Sequence, residues 1–123
     1  MIGKAYVSVF PFYDNKAKKM SFKRRPVLIV GQADNDDYVI LPISRVTNQN
    51  NIDGYYDVPI EIADVPLMNL TKKSYIRTHK QSVVHAGELA KEIVDFKKEY
   101  TDIYLNALSK MEEFQKKLIS KAL

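Results

Sequence analysis

The chain has 123 residues, 46% of them apolar and 28% charged, with no cysteine. That length suits one domain and excludes a TIM barrel, a paired dinucleotide-binding fold or a kinase-sized enzyme, and the composition is globular rather than disordered. The missing cysteine removes disulfides, thiolate zinc sites and a cysteine nucleophile, and the mild +4 charge permits a polyanionic partner.

Lys4 to Phe10 alternates, with Ala5, Val7 and Val9 on one face, and predicts a strand that Pro11 ends. Phe12 to Lys23 reads as a long, basic, glycine-free loop. Arg24, Arg25 and Pro26 then lead into Val27–Val30, a strand of buried type. The polar Asp34–Asp37 is a hairpin turn into the next apolar strand, Tyr38–Ser44. Thr47–Gly54 is a turn-rich loop. Tyr56–Ile62 is a strand whose Pro59 marks an edge or a bulge, and Ala63–Leu70 is irregular. Ser74–Thr78 and Ser82–His85 are short strands. From Lys97 the period changes: Tyr100, Ile103, Tyr104, Ala107, Leu108, Met111, Phe114 and Leu118 form one helical stripe, with Asp95 as N-cap.

These elements predict an α+β fold, mostly β: a small barrel of about six or seven short strands over residues 1–95, closed by a long helix over 97–121. The stripe through Leu108 is expected to lie on the barrel, leaving Met111 to Leu118 for a partner. No targeting segment opens the chain, and no stretch reaches the ~20 apolar residues of a membrane span, so a soluble, cytoplasmic protein is expected.

Gly3, Gly31, Gly54 and Gly87 are isolated, which excludes glycine-rich phosphate loops. His79 and His85 do not stand at metal-ligand spacing, and no metal or cofactor is expected. Lys16, Lys18, Lys19, Lys23, Arg24 and Arg25 fall within ten residues, interleaved with Phe12, Tyr13 and Phe22. Cations for phosphates and aromatics for stacked bases are what single-stranded RNA requires, although a solvated surface loop has the same composition. The hairpin brings Arg25 and Ser44 to the same end of neighbouring strands. A guanidinium and a hydroxyl flanking one cleft hold a phosphate and stabilise a pentacoordinate transition state; the plainer reading is an ordinary strand-end pair.

Three segments carry a resemblance. Lys23-Arg24-Arg25-Pro26-Val27-Leu28-Ile29-Val30 resembles the RPV-apolar strand of MazF/PemK-type toxins. Tyr38-Val39-Ile40-Leu41-Pro42-Ile43-Ser44 resembles their following strand, and Ser74-Tyr75-Ile76-Arg77-Thr78-His79-Lys80 resembles their arginine-threonine segment. The resemblance implies an SH3-like barrel with a C-terminal helix, usually a homodimer, and metal-independent cleavage of single-stranded RNA, often mRNA. It implies Arg25 and Ser44 as the catalytic pair, with Arg77 and Thr78 on a supporting strand. RNA contacts then fall to Tyr13, Lys16, Lys18, Lys19, Lys23 and Arg24 as well as Arg77 and Thr78. A small antitoxin with an acidic tail is the implied protein partner. The chain departs from the pattern in its glycine-free loop, in Ser74, where some family members carry an acidic residue, and in His79-Lys80, where the motif has a carboxylate, leaving His79 as the reserve acid or base. Two other functions fit the same fold: a non-catalytic poison of DNA gyrase like CcdB, and a barrel that binds RNA without cutting it.

Overall fold

The computed structural model describes all 123 residues. Seven strands come first: β1 (Ala5–Asp14), β2 (Lys19–Asp34), β3 (Asp37–Ser44), β4 (Asp57–Ile60), β5 (Ser74–Arg77), β6 (Ser82–His85) and β7 (Leu89–Val94). Two helices follow, α1 (Phe96–Glu99) and α2 (Thr101–Ala122). The strands pair antiparallel in the order β4-β5-β3-β2-β1-β7, and β6 also pairs with β3. β3 divides its outer edge: Asp37–Ile40 faces β6, whereas Ile43 and Ser44 face β5. The sheet therefore forks at β3 and curls into a half-barrel, the small mostly-β α+β architecture that the element order predicts.

The apolar run in β2 is buried on both faces because strand side chains alternate. Leu28 stands opposite Leu41 and joins Ile43, Ile60, Ile76, Phe96, Tyr104 and Ala107 in the main core. Val27 and Ile29 go to the other face, into a smaller cluster with Ile40 and Val84.

The structure corrects several local expectations. β1 does not end at Pro11 but runs to Asp14, paired with β2 from Lys19 onward, so the expected basic loop is a two-stranded ribbon. β7 pairs with β1 only as far as Ser8, which leaves the rest of β1 as an edge, where proline is tolerated. At the ribbon tip Lys18 adopts a left-handed conformation, φ 53°, and the Asp14 carboxylate accepts from the backbone N–H groups of Lys16 and Ala17. β7 was not expected at all, since Ala90, Lys91 and Glu92 at its centre are exposed. Pro59 does lie on an edge strand, exposed to solvent.

The helix is broken at Tyr100. Asp95 caps α1 through the N–H of Lys98, as expected, and α2 restarts at Thr101. The Tyr100 hydroxyl accepts from the Leu67 N–H at 2.8 Å and holds the break in place. Gly3, φ +90°, lies so close to α1 that a Cβ there would meet the Lys97 Cβ at 2.8 Å; its carbonyl accepts from the Lys97 N–H.

On α2, Tyr104 and Ala107 are buried, and Ile103, Leu108 and Met111 pack on the core. Phe114 stacks edge-on to Tyr56, ring centres 5.1 Å apart. The stripe thus covers its own domain as far as Phe114, further than expected, and Leu118, Ile119 and Leu123 beyond it are left exposed. No helix is long and apolar enough to cross a membrane.

Candidate functional site

β2 has 16 residues and β3 has 8, and this inequality makes the site. Their pairing begins at Val27 opposite Pro42; continued outward, the same register sets Arg25 across from Ser44 and Arg24 across from Arg45. Beyond Ser44 the edge of β2 has no strand beside it. The space holds a cleft of about 630 Å³. Pro26, Ile43, Met68 and Leu70 give it an apolar floor, and Ser44, Thr71, Ser74 and Asn69 supply polar groups.

Four cations line the cleft, Lys23, Arg24, Arg25 and Arg45, and no carboxylate does. The ion pairs of the molecule all lie elsewhere: Lys4–Glu92, Lys73–Glu61, Arg77–Asp57, His79–Asp57 and Lys116–Glu112. An uncompensated cluster of this kind produces a strong local positive potential and draws in anions. Arg45 is oriented by the Thr71 hydroxyl, Nη1 to Oγ1 3.5 Å. Next to Arg25 across β1 lies Ser8, whose hydroxyl is fully buried and unpartnered.

Of the residues expected at the site, Arg25, Ser44, Lys23 and Arg24 converge on this cleft. Tyr13, Lys16, Lys18 and Lys19 belong to the ribbon that leads away from it. Arg77, Thr78 and His79 are not brought together with the others. Ser74 starts β5 at the cleft, and Arg77 lies three residues along, about 10 Å away at 3.3 Å per residue. There Arg77 donates to both oxygens of Asp57, at 3.0 and 3.3 Å, and to the Asn51 carbonyl at 2.8 Å. The buried Thr78 hydroxyl donates to the Tyr56 carbonyl at 2.5 Å.

His79 is enclosed by Tyr56 and Phe114, with ring centres 6.0 Å away in both cases. Its Nδ1 is buried and without a hydrogen bond, 3.7 Å from Asp57 Oδ1. Burial lowers its pKa below 6.5, against the pull of the Asp57 charge. This trio braces the β4–β5 edge against α2. Arg45, Asn69 and Thr71 were missed from sequence. Arg45 had a signal, since it directly follows the strand-end Ser44; Asn69 and Thr71 come from a stretch with no periodicity to read.

No protein-family model matches this chain, and no curated protein sequence matches it. Among solved structures it is similar to the Mycobacterium tuberculosis toxin MazF-mt6, with a TM-score of 0.60 and 13% identity over 92% of this chain and 96% of that one. It is also similar to a second M. tuberculosis toxin, with a TM-score of 0.52 and 15% identity over 73% of this chain and 91% of the other. The chain has the fold of MazF-type toxins.

Proposed function

We propose that this protein is the toxin of a type II toxin–antitoxin pair and that it cuts single-stranded RNA without a metal ion. The observation that carries this reading is the cleft, in which four cations converge without one carboxylate on a MazF-type toxin fold. The nucleophile is the 2′-hydroxyl of the substrate. It attacks the adjacent phosphorus, the bond to the 5′-oxygen breaks, and the products are a 2′,3′-cyclic phosphate and a 5′-hydroxyl. The Arg25 guanidinium neutralises charge on the non-bridging oxygens as the phosphorane forms, and the Ser44 hydroxyl donates to one of them. With no carboxylate or imidazole lining the cleft, the 2′-proton leaves to water and the 5′-oxygen takes one from water.

The same uncompensated charge suits an acidic antitoxin segment laid over the cleft, and the reading places a homodimer in the cytoplasm. Mapping the ends of single-stranded RNA incubated with the pure protein in chelator tests the reading. Cyclic phosphate and 5′-hydroxyl ends, with DNA of the same sequence left intact, are expected. RNA that is bound but never cut would make the protein a binding module, and RNA neither bound nor cut would point to a toxin acting on a protein target such as gyrase.

A further inference from the structure

The β1–β2 ribbon has two unlike faces. Pro11 pairs with Phe22 and Tyr13 with Met20, and alternation puts these four side chains on one face. They are exposed: Tyr13 55%, Met20 59%, Phe22 69%, and Pro11 also. The other face carries Lys19, Lys23, Ser21 and Phe12, with the Lys23 ammonium 4.5 Å from the centre of the Phe12 ring. Nothing in the domain covers the first face, although Tyr13 and Phe22 are among its largest apolar side chains.

We infer that this face is a stacking platform for one unpaired nucleobase, next to a phosphate held in the cleft through Arg24; the inference rests on the RNA reading above. Tyr13 and Phe22 are diagonal neighbours across the two strands, an arrangement that separates side chains by about 7–8 Å. That gap is about twice the 3.4 Å rise between stacked bases, so one base fits between the two rings. Phe22 and Arg24 share that face, two residues and about 7 Å apart on β2, and Arg24 lines the cleft, which sets the stacked base beside the scissile position rather than on it.

Charge selects the same occupant. Between Phe12 and Arg25 stand six cations and one carboxylate, Asp14, whose Oδ1 is occupied by the turn. A stable protein interface needs roughly 800 Å² per partner. Four part-exposed side chains, with aromatics of about 150–250 Å² each, supply only a few hundred.

The test uses a 2′-O-methyl oligoribonucleotide, which lacks the nucleophile, carrying 2-aminopurine at successive positions. Wild-type protein is expected to quench the fluorescence at one position. Phe22→Ala and Tyr13→Ala should each weaken binding by about 5- to 150-fold, the scale of one lost base stack, with the salt dependence unchanged. Phe22→Trp should keep both affinity and quenching. Replacing Lys16, Lys18 and Lys19 together should do the reverse, lowering the salt slope by up to about 2 while the quench stays. If Phe22→Ala and Tyr13→Ala bind and quench like wild type, the platform is refuted and the RNA reading stands. If wild-type protein does not bind the oligonucleotide, both fall. Ribbon variants that bind normally but have a lower mass in solution would assign the face to a second protein chain, which also overturns the inference.

Discussion

Asp57 is the residue whose removal separates bracing from chemistry. Its side chain is fully buried and accepts from the Arg77 Nε at 3.0 Å, from another Arg77 nitrogen at 3.3 Å and from the Asp53 N–H at 2.9 Å. Arg77 is only 19% exposed, so this is a buried pair and not a surface one. Asp57→Ala leaves the guanidinium and a backbone N–H without their acceptor. Breaking one side of a buried ion pair costs about 3–5 kcal/mol. For a chain of this size each kcal/mol lowers Tm by roughly 3–5 °C, so a fall of about 10–25 °C is expected. Asp57→Asn keeps one acceptor and should lose less. Circular dichroism melts and urea unfolding read the stability, and RNA cleavage below the melting range reads the chemistry. Cleavage per folded molecule should stay near wild type, because Asp57 does not line the cleft. A loss of less than about 1 kcal/mol would refute the bracing role. A folded Asp57→Ala protein that had lost cleavage by about 100-fold would instead put Arg77 and His79 into the reaction.

Arg25→Ala should lower RNA cleavage by about 100-fold or more and Ser44→Ala by less, without loss of fold since Arg25 is exposed; wild-type cleavage by a folded Arg25→Ala protein would refute the assignment. His79 has a folded pKa depressed below 6.5 by burial, so the stability it contributes is complete above pH 6.5 and is lost as the pH falls through the lower folded value. Urea midpoints for wild type should therefore drop on acidification from pH 7 towards 5, and His79→Gln should flatten that dependence; a parallel curve would refute it. Phe114→Ala removes the ring packed on Tyr56 and His79 and should cost about 2–4 kcal/mol at this partly buried site, whereas Leu118→Ser, at a position 57% exposed, should stay within about 0.5 kcal/mol. Equal losses in thermal melts would mean that the helix is seated differently.

The central hairpin was legible because its signals agree: apolar runs on both sides of a polar turn, and a register that carries Arg25 to Ser44. Even so, the cleft was only half visible. Its β2–β3 wall follows from strand alternation, but Met68, Asn69, Leu70 and Thr71 come from a short turn and loop with no period to detect. Pro11 hid the ribbon, because proline ends a strand in most contexts and is harmless only at an edge. β7 was hidden by its own exposure: an edge strand with Lys91 and Glu92 at its centre has no alternation to betray it. The break at Tyr100 leaves the helical period of the stripe intact, so nothing in the spacing announces it.

The two walls of the cleft come from different stretches of the chain. One belongs to the sheet, through β2 and β3. The other, Met68 to Thr71, is pinned by Val65 and Met68, sunk into the same core as Leu28, Leu41 and Ile43, and by the Leu67 N–H on the Tyr100 hydroxyl, at the joint between α1 and α2. The width of the gap between them is therefore set by the packing of one shared core. A change in the packing of Tyr100 reaches the cleft through one hydrogen bond to the backbone, although the ring itself lines no part of it.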